Sequence, residues 1–152
     1  VQNKQLTFAI TLFLAGILYA CGGGGASQET ARQSTKETTE ANPVASVGEK
    51  VYSQYCYSCH QAKGVGVQGL YPPINNGTDW VTGDKARLIG IILNGMQGEI
   101  EVHGETYNNA MPQHGYLSNE EVAGVLTYIR SNWGNDASSI NPEEVQKVRA
   151  ES

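Results

Sequence analysis

The chain has 152 residues, 16% charged and 39% hydrophobic, enough for one domain of ordinary size with segments to spare and too few for a second large core. Its formal net charge of -5 at pH 7 disfavours nucleic acid and anionic membrane surfaces as partners, because both would repel it. Eighteen glycines predict a loop-rich fold, and three cysteines cannot form an even disulfide framework, so each needs its own account.

Leu6 to Ala20 is apolar almost throughout, follows Lys4 and ends in a small residue before Cys21, the pattern of a secretory signal. As a helix it would rise only about 22 Å, short of the roughly 30 Å hydrocarbon core, so a permanent span is the weaker reading. Leu18-Tyr19-Ala20-Cys21 resembles the bacterial lipoprotein signal, with Tyr19 as a departure from it. That resemblance implies a signal peptide, a diacylglyceryl group on Cys21 and export to the periplasmic side of a bacterial membrane; an uncleaved anchor with an idle thiol is the alternative. Each buried methylene of an acyl chain adds about 0.8 kcal/mol, so two or three chains would hold a soluble domain at a membrane. The following stretch opens with four glycines, continues in Ser, Thr, Gln, Glu and Ala to about Ala45 and has no apolar periodicity. It reads as a flexible tether reaching on the order of 25–30 Å.

Ser46-Val47-Gly48-Glu49 has the form of a helix capping box, and Val47, Val51, Tyr52 and Tyr55 recur at helical spacing, which predicts a helix from Ser46 up to the next cysteine. Cys56-Tyr57-Ser58-Cys59-His60 is the C-x-x-C-H pattern of covalent c-type haem attachment. Two thiols at that spacing can add to the two vinyl groups of one haem, and the adjacent histidine reaches the iron as proximal ligand. A thioredoxin-like dithiol would expect the pair after a strand, whereas the preceding segment reads as a helix. A structural zinc site needs four protein ligands and would have to recruit His103 and His114. One covalent haem c is therefore the expected cofactor.

Tyr71-Pro72-Pro73-Ile74 reads as a rigid turn. Lys85 to Leu93 predicts a helix capped by Asp84 or Thr82 and ended by Gly95, with Leu88, Ile91 and Ile92 walling one side of the haem. Glu99 to Tyr107 alternates polar and apolar residues around a glycine turn and predicts a small β-hairpin. Ser118 and Glu121 form a second capping box, with Leu117 and Val122 as a hydrophobic staple. Val122, Val125, Leu126, Ile129 and Trp133 mark one face of the helix that follows, and Gly134 can end it. Gly124 inside that helix should cost about 1 kcal/mol relative to alanine, which asks for a packing reason. Asn141-Pro142-Glu143-Glu144 caps a last short helix with Val145 and Val148 on one side and Arg149 in its final turn. Alone in water so short a helix is marginal, so it docks either on the core or on a partner.

With the haem motif and these flanking helices, the chain from Ser46 to Gly134 resembles the class I cytochrome c family, a mainly α fold whose terminal helices cross beside one haem. The hairpin, absent from minimal members, is similar to segments in cytochrome domains attached to dehydrogenases and nitrite reductases. The resemblance implies that a glycine of the first helix meets an aromatic of the last, with Gly48 and Tyr128 as candidates. It implies that Met111, in the Met111-Pro112 pair, is the distal axial ligand opposite His60. A thioether is a soft, weak ligand that stabilises ferrous iron and raises the potential relative to bis-histidine coordination. Pro112 stiffens the loop that presents it. His103 and His114 are the nitrogen alternatives, and Met96, just past Gly95, is expected to pack at the helix cap. The resemblance also implies that the carbonyl of Pro72 or Pro73, indistinguishable in sequence, orients the His60 ring. Trp80 and Tyr107 either hydrogen-bond the haem propionates or line the pocket.

The domain plan is thus a signal peptide over 1–20, a lipidated cysteine and tether over 21–45, a cytochrome c domain over 46–134 and a C-terminal extension over 135–152. One haem with both axial positions filled implies an electron carrier that takes no small-molecule substrate and exchanges single electrons with membrane-linked redox proteins. The alternatives are a haem c subunit of a respiratory complex and, with Met111 off the iron, a peroxidase-like enzyme or gas sensor.

Overall fold

Helix α1 spans Pro43–Val51. The computed structural model describes residues 43–151, so the signal, Cys21 and most of the tether lie outside the described residues. Two expectations are corrected here. Residues 43–45 belong to the helix and not to the tether, and Ser46 lies inside α1 and does not cap it. Val47 is exposed, while Val51 and Tyr52 are buried, so the inward face starts later than its spacing suggested.

From Val51 the chain runs through a π-helical stretch, Tyr52–Cys56, into one more turn, α2 (Tyr57–His60). Such widened turns hold one extra residue and recur at functional sites. Here it turns both Tyr52 and Cys56 inward. Gln61, with φ 60 and ψ 176, stops the helix directly after the histidine.

Thr78 caps the short α3 (Asp79–Thr82), its hydroxyl accepting from the Trp80 N–H at 3.1 Å. Asp84, not Thr82, caps α4 (Lys85–Asn94) by accepting from the Arg87 N–H at 2.6 Å. Leu88, Ile89, Ile92 and Leu93 of α4 are buried, whereas Ile91 is only half-buried. The hairpin forms as antiparallel β1 (Ile100–Val102) and β2 (Glu105–Tyr107), pairing Ile100 with Tyr107 and Val102 with Glu105. Its two turn residues, His103 (φ 52) and Gly104 (φ 80), both take positive φ, the condition for a tight turn whose twist matches the strands.

Helix α5 (Asn119–Arg130) carries the expected capping box: Ser118 Oγ accepts from the Glu121 N–H, and Glu121 Oε2 accepts from the Ser118 N–H at 2.8 Å. It ends at Arg130 and not at Gly134. Ser131 Oγ and Asn132 Nδ2 donate to the carbonyls of Thr127 and Tyr128, each at 2.8 Å, and so satisfy the helix end early. Trp133 therefore sits outside the helix at φ 56, its ring packed against Tyr52 with centroids 4.8 Å apart.

The C-terminal segment docks on the core, one of the two possibilities open in its sequence. Ile140 and Val145 are buried with Leu126 and Ile89. Thr127 Oγ bonds both the N–H and the carbonyl of Ile140 at 3.0 Å. Asn141 and Glu144 form a second capping box on α6 (Pro142–Ala150). Among the described residues no helix is long and apolar enough to cross a membrane.

Candidate haem site

The motif's two cysteines are free thiols, Cys56 buried and Cys59 half-buried. Burial pushes the Cys56 thiol up to about 11, with Cys59 adding to the rise, so it stays protonated at neutral pH. The Tyr52 hydroxyl donates to the Gln61 carbonyl at 2.7 Å and pins the chain just past the motif; burial raises its pKa.

His60 Nδ1 lies 3.0 Å from the carbonyl oxygen of Pro72. A carbonyl can only accept, so Nδ1 carries the proton and Nε2 keeps its lone pair for a metal. Burial holds the ring below the ordinary imidazole value, partly opposed by the Pro72 bond, and the neutral ring is the ligating form. Of the two candidate prolines, Pro72 orients the histidine; Pro73 lines the neighbouring wall. Gly66 permits the approach, since a Cβ there would fall 2.3 Å from the Tyr71 carbonyl oxygen.

Two adjoining clefts share Cys56, His60, Pro72, Met96, Ile100 and Met111 as walls, so the motif and the methionine loop face one concave, largely apolar space of the kind cofactors occupy. Tyr55, Tyr107, Asn109 and His114 complete the first, and Trp80, Leu88, Ile91 and Ile129 help to make the second almost wholly apolar.

Met111 is held by its backbone, which exchanges both hydrogen bonds with Met96, at 2.8 and 3.0 Å. Met96 does not pack at the helix cap as expected. Gly95, at φ 74, turns the chain back against the 111–113 segment, where any Cβ would lie 2.6 Å from the Met111 carbonyl oxygen. A pair that exchanges both bonds faces its side chains the same way, so the two methionines lie side by side on the cleft wall.

The nitrogen alternatives separate. His103 sits exposed at the hairpin tip and lines neither cleft. His114 lines the first cleft, its Nδ1 3.0 Å from the Tyr116 hydroxyl, and burial lowers its pKa. Trp80 gives its indole N–H to the Glu101 carbonyl at 3.0 Å, so it lines the second cleft with its donor already used. Tyr107 is buried on the wall of the first. Among the described residues no group of three His, Cys, Asp or Glu side chains is placed to hold a metal, so the zinc alternative has no ligand shell there. Sequence reasoning put Met96 at the helix cap instead of on the cleft wall and missed the π-helical stretch; only the hairpin alternation hinted at Ile100.

Free thiols on a helix wall, beside an imidazole whose unprotonated nitrogen is available and an apolar space with a thioether, suit a porphyrin attached at its edge and ligated at its iron. That is the equipment of a c-type electron-transfer domain. The model of the Cytochrome c family matches residues 45–133, more than half of the chain, and the chain belongs to that family. Over 112 residues it is 39% identical to cytochrome c-552 of Thermus thermophilus, covering 68% of this chain and 84% of that protein. It is 33% identical over 110 residues to the gluconate 2-dehydrogenase cytochrome c subunit of Pantoea cypripedii, and 29% over 106 residues to the alcohol dehydrogenase (quinone) cytochrome c subunit of Gluconobacter oxydans. Those stretches cover 67% of this chain but only 24% and 22% of the two longer proteins. The chain is a covalent haem c protein of mainly α fold that transfers electrons and is not itself a catalyst.

Proposed function

We propose that this is a monohaem electron carrier in which Cys56 and Cys59 form thioethers with the haem, His60 Nε2 is the proximal ligand and Met111 Sδ the distal one. The observation that carries the reading is the His60–Pro72 bond at 3.0 Å, in clefts that His60 and Met111 line together. The haem supplies a one-electron ferric/ferrous couple. The chain's own residues do the rest. Pro72 fixes the imidazole tautomer and ring plane, the Met96 pairing and Pro112 hold the Met111 loop, and Ile91, Ile92 and Leu126 keep water from one wall. With His60 and Met111 both holding the iron, no position would be left for a substrate, and the haem would exchange electrons with a protein partner by the outer-sphere route.

We further read Cys21 as lipid-modified after export and the following segment as a tether that holds the domain outside a bacterial membrane, near membrane-linked redox enzymes. The apolar run ending in Leu18-Tyr19-Ala20-Cys21 supports this. The likeness to cytochrome subunits of dehydrogenases supports a second reading, a haem c subunit of an oxidoreductase complex. Spectra of the purified protein test the core of the proposal: pigment that survives acidified acetone, a weak red band from sulfur on ferric iron, and no immediate carbon monoxide binding. Immediate, full carbon monoxide binding by the native reduced protein would overturn it. Cys21→Ser should move the protein from membranes to the soluble exported fraction, and co-purification with a dehydrogenase after mild detergent would favour the subunit reading.

A further inference from the structure

The loop that carries Met111 is fastened at both ends. At its start Met111 pairs with Met96 beyond α4. At its far end Arg149, in the last turn of α6, reaches back with all three of its nitrogens. Nη1 donates to the Gly115 carbonyl at 2.7 Å, Nη2 to the Leu117 carbonyl at 2.8 Å, and Nε to Asn119 Oδ1 at 3.1 Å. Asn119 Nδ2 donates in turn to Gln146 Oε1 at 2.7 Å, so α6 grips the entry to α5 twice. Between the two fastenings the His114 N–H donates to the Ile92 carbonyl at 2.8 Å, and a Cβ on Gly115 would lie 2.8 Å from the Leu93 carbonyl oxygen. The loop therefore lies flat on α4. No residue of α6 lines either cleft, so whatever α6 does for the haem it does through this loop.

We propose that Arg149 is a positioning residue for the sixth ligand: by bridging the Gly115 and Leu117 carbonyls to α6, it holds the Met111 loop down and sets how readily the sulfur leaves the iron. The inference rests on Met111 ligation as proposed above. For the sulfur to be replaced by an external ligand, the loop must lift from α4, and lifting it breaks two charge-assisted bonds. A planar guanidinium fork can hold two carbonyls and an amide oxygen at once; a lysine ammonium, a point donor on a flexible stem, cannot hold all three in the same geometry. An uncharged side chain at 149 would leave the loop held by the Met96 pairing and the His114–Ile92 bond alone.

The test is imidazole titration of the ferric holoprotein, followed by loss of the weak red band, in the wild type and in Arg149→Ala, Arg149→Lys and Glu144→Gln. The last variant weakens the docking of α6 on α4 without touching the loop, because Glu144 pairs with Lys85 at 2.9 Å. Arg149→Ala should bind imidazole on the order of tenfold more tightly, the loss of two charge-assisted bonds being partly recovered by water. Arg149→Lys should fall between it and the wild type, and Glu144→Gln should stay within about twofold of wild type. Far-UV circular dichroism under the same conditions identifies any variant that has lost its fold, and Arg149→Lys then carries the comparison alone. Imidazole affinity in Arg149→Ala and Arg149→Lys equal to wild type, with the red band present in all, overturns the inference while leaving Met111 ligation intact. An equal gain in Glu144→Gln also overturns it, by assigning the effect to helix docking at large. A wild-type protein that never shows the band overturns the ligation itself.

Discussion

Gly48 of α1 lies directly on the backbone of Gly124 in α5: a Cβ on Gly48 would fall 2.1 Å from the Gly124 carbonyl oxygen and 2.7 Å from Tyr128 Cβ. The helices cross backbone to backbone, with Tyr128 packed beside the crossing and its ring 5.8 Å from that of Tyr52. The glycine inside α5, unfavourable on helix propensity alone, has its packing reason here. Because Tyr52 and Cys56 follow Gly48 on the same helical stretch, the crossing also sets where the first haem cysteine stands.

Gly48→Ala forces those backbones apart. Overpacking a tight contact costs about 1–3 kcal/mol, and the strained case here belongs at the upper end of that range. The midpoint of denaturant unfolding of the holoprotein should fall accordingly, with an unchanged slope; an unshifted midpoint would mean that the helices do not meet at this point.

Removing the Met111 sulfur should open the iron. Met111→Ala is expected to bind carbon monoxide at once when reduced, and Met111→His to stay six-coordinate at a markedly lower potential, since imidazole favours ferric iron relative to a thioether. A potentiometric titration that shows no fall for Met111→His would contradict the assignment.

Arg130 is 2% exposed and donates to the carbonyls of Ser138, at 2.7 Å, and Val81. Arg130→Met removes the donor and leaves the buried Val81 carbonyl without it, which should cost about 1–3 kcal/mol. Thermal unfolding measures this, and the loss should exceed that from any exposed arginine, such as Arg87.

Acid should loosen α6 through Glu144. The Asn141 N–H and then the Lys85 ammonium, 2.9 Å away, hold its carboxyl below the usual carboxylate range. A carboxyl more acidic in the folded than in the unfolded chain binds its proton more weakly when folded. Its contribution is therefore complete above the ordinary value of about 4.3 and disappears as pH falls through the folded one. Glu144→Gln should lower stability slightly at pH 7 and flatten the acid limb of the stability profile. Identical pH profiles for the two proteins would rule out this linkage.

Features governed by neighbouring residues were legible in the chain itself. The C-x-x-C-H run, the caps at Ser118 and Asn141, and the glycine turn of the hairpin depend on side chains within a few positions of the backbone they serve, whereas Asp84 and Thr82 stayed open as caps of α4. A local signature misled at Ser46, because the same four-residue pattern lies inside helix α1 and not at its start. The choice of Pro72 over Pro73 as partner of His60, the placing of Met96 against Met111, and the hold of Arg149 on Gly115 and Leu117 join residues far apart in sequence. Capping and turn chemistry act within a few bonds of chain, so composition and spacing determine them. Which distant carbonyl meets which donor depends on how the helices pack, and the packing decided those contacts.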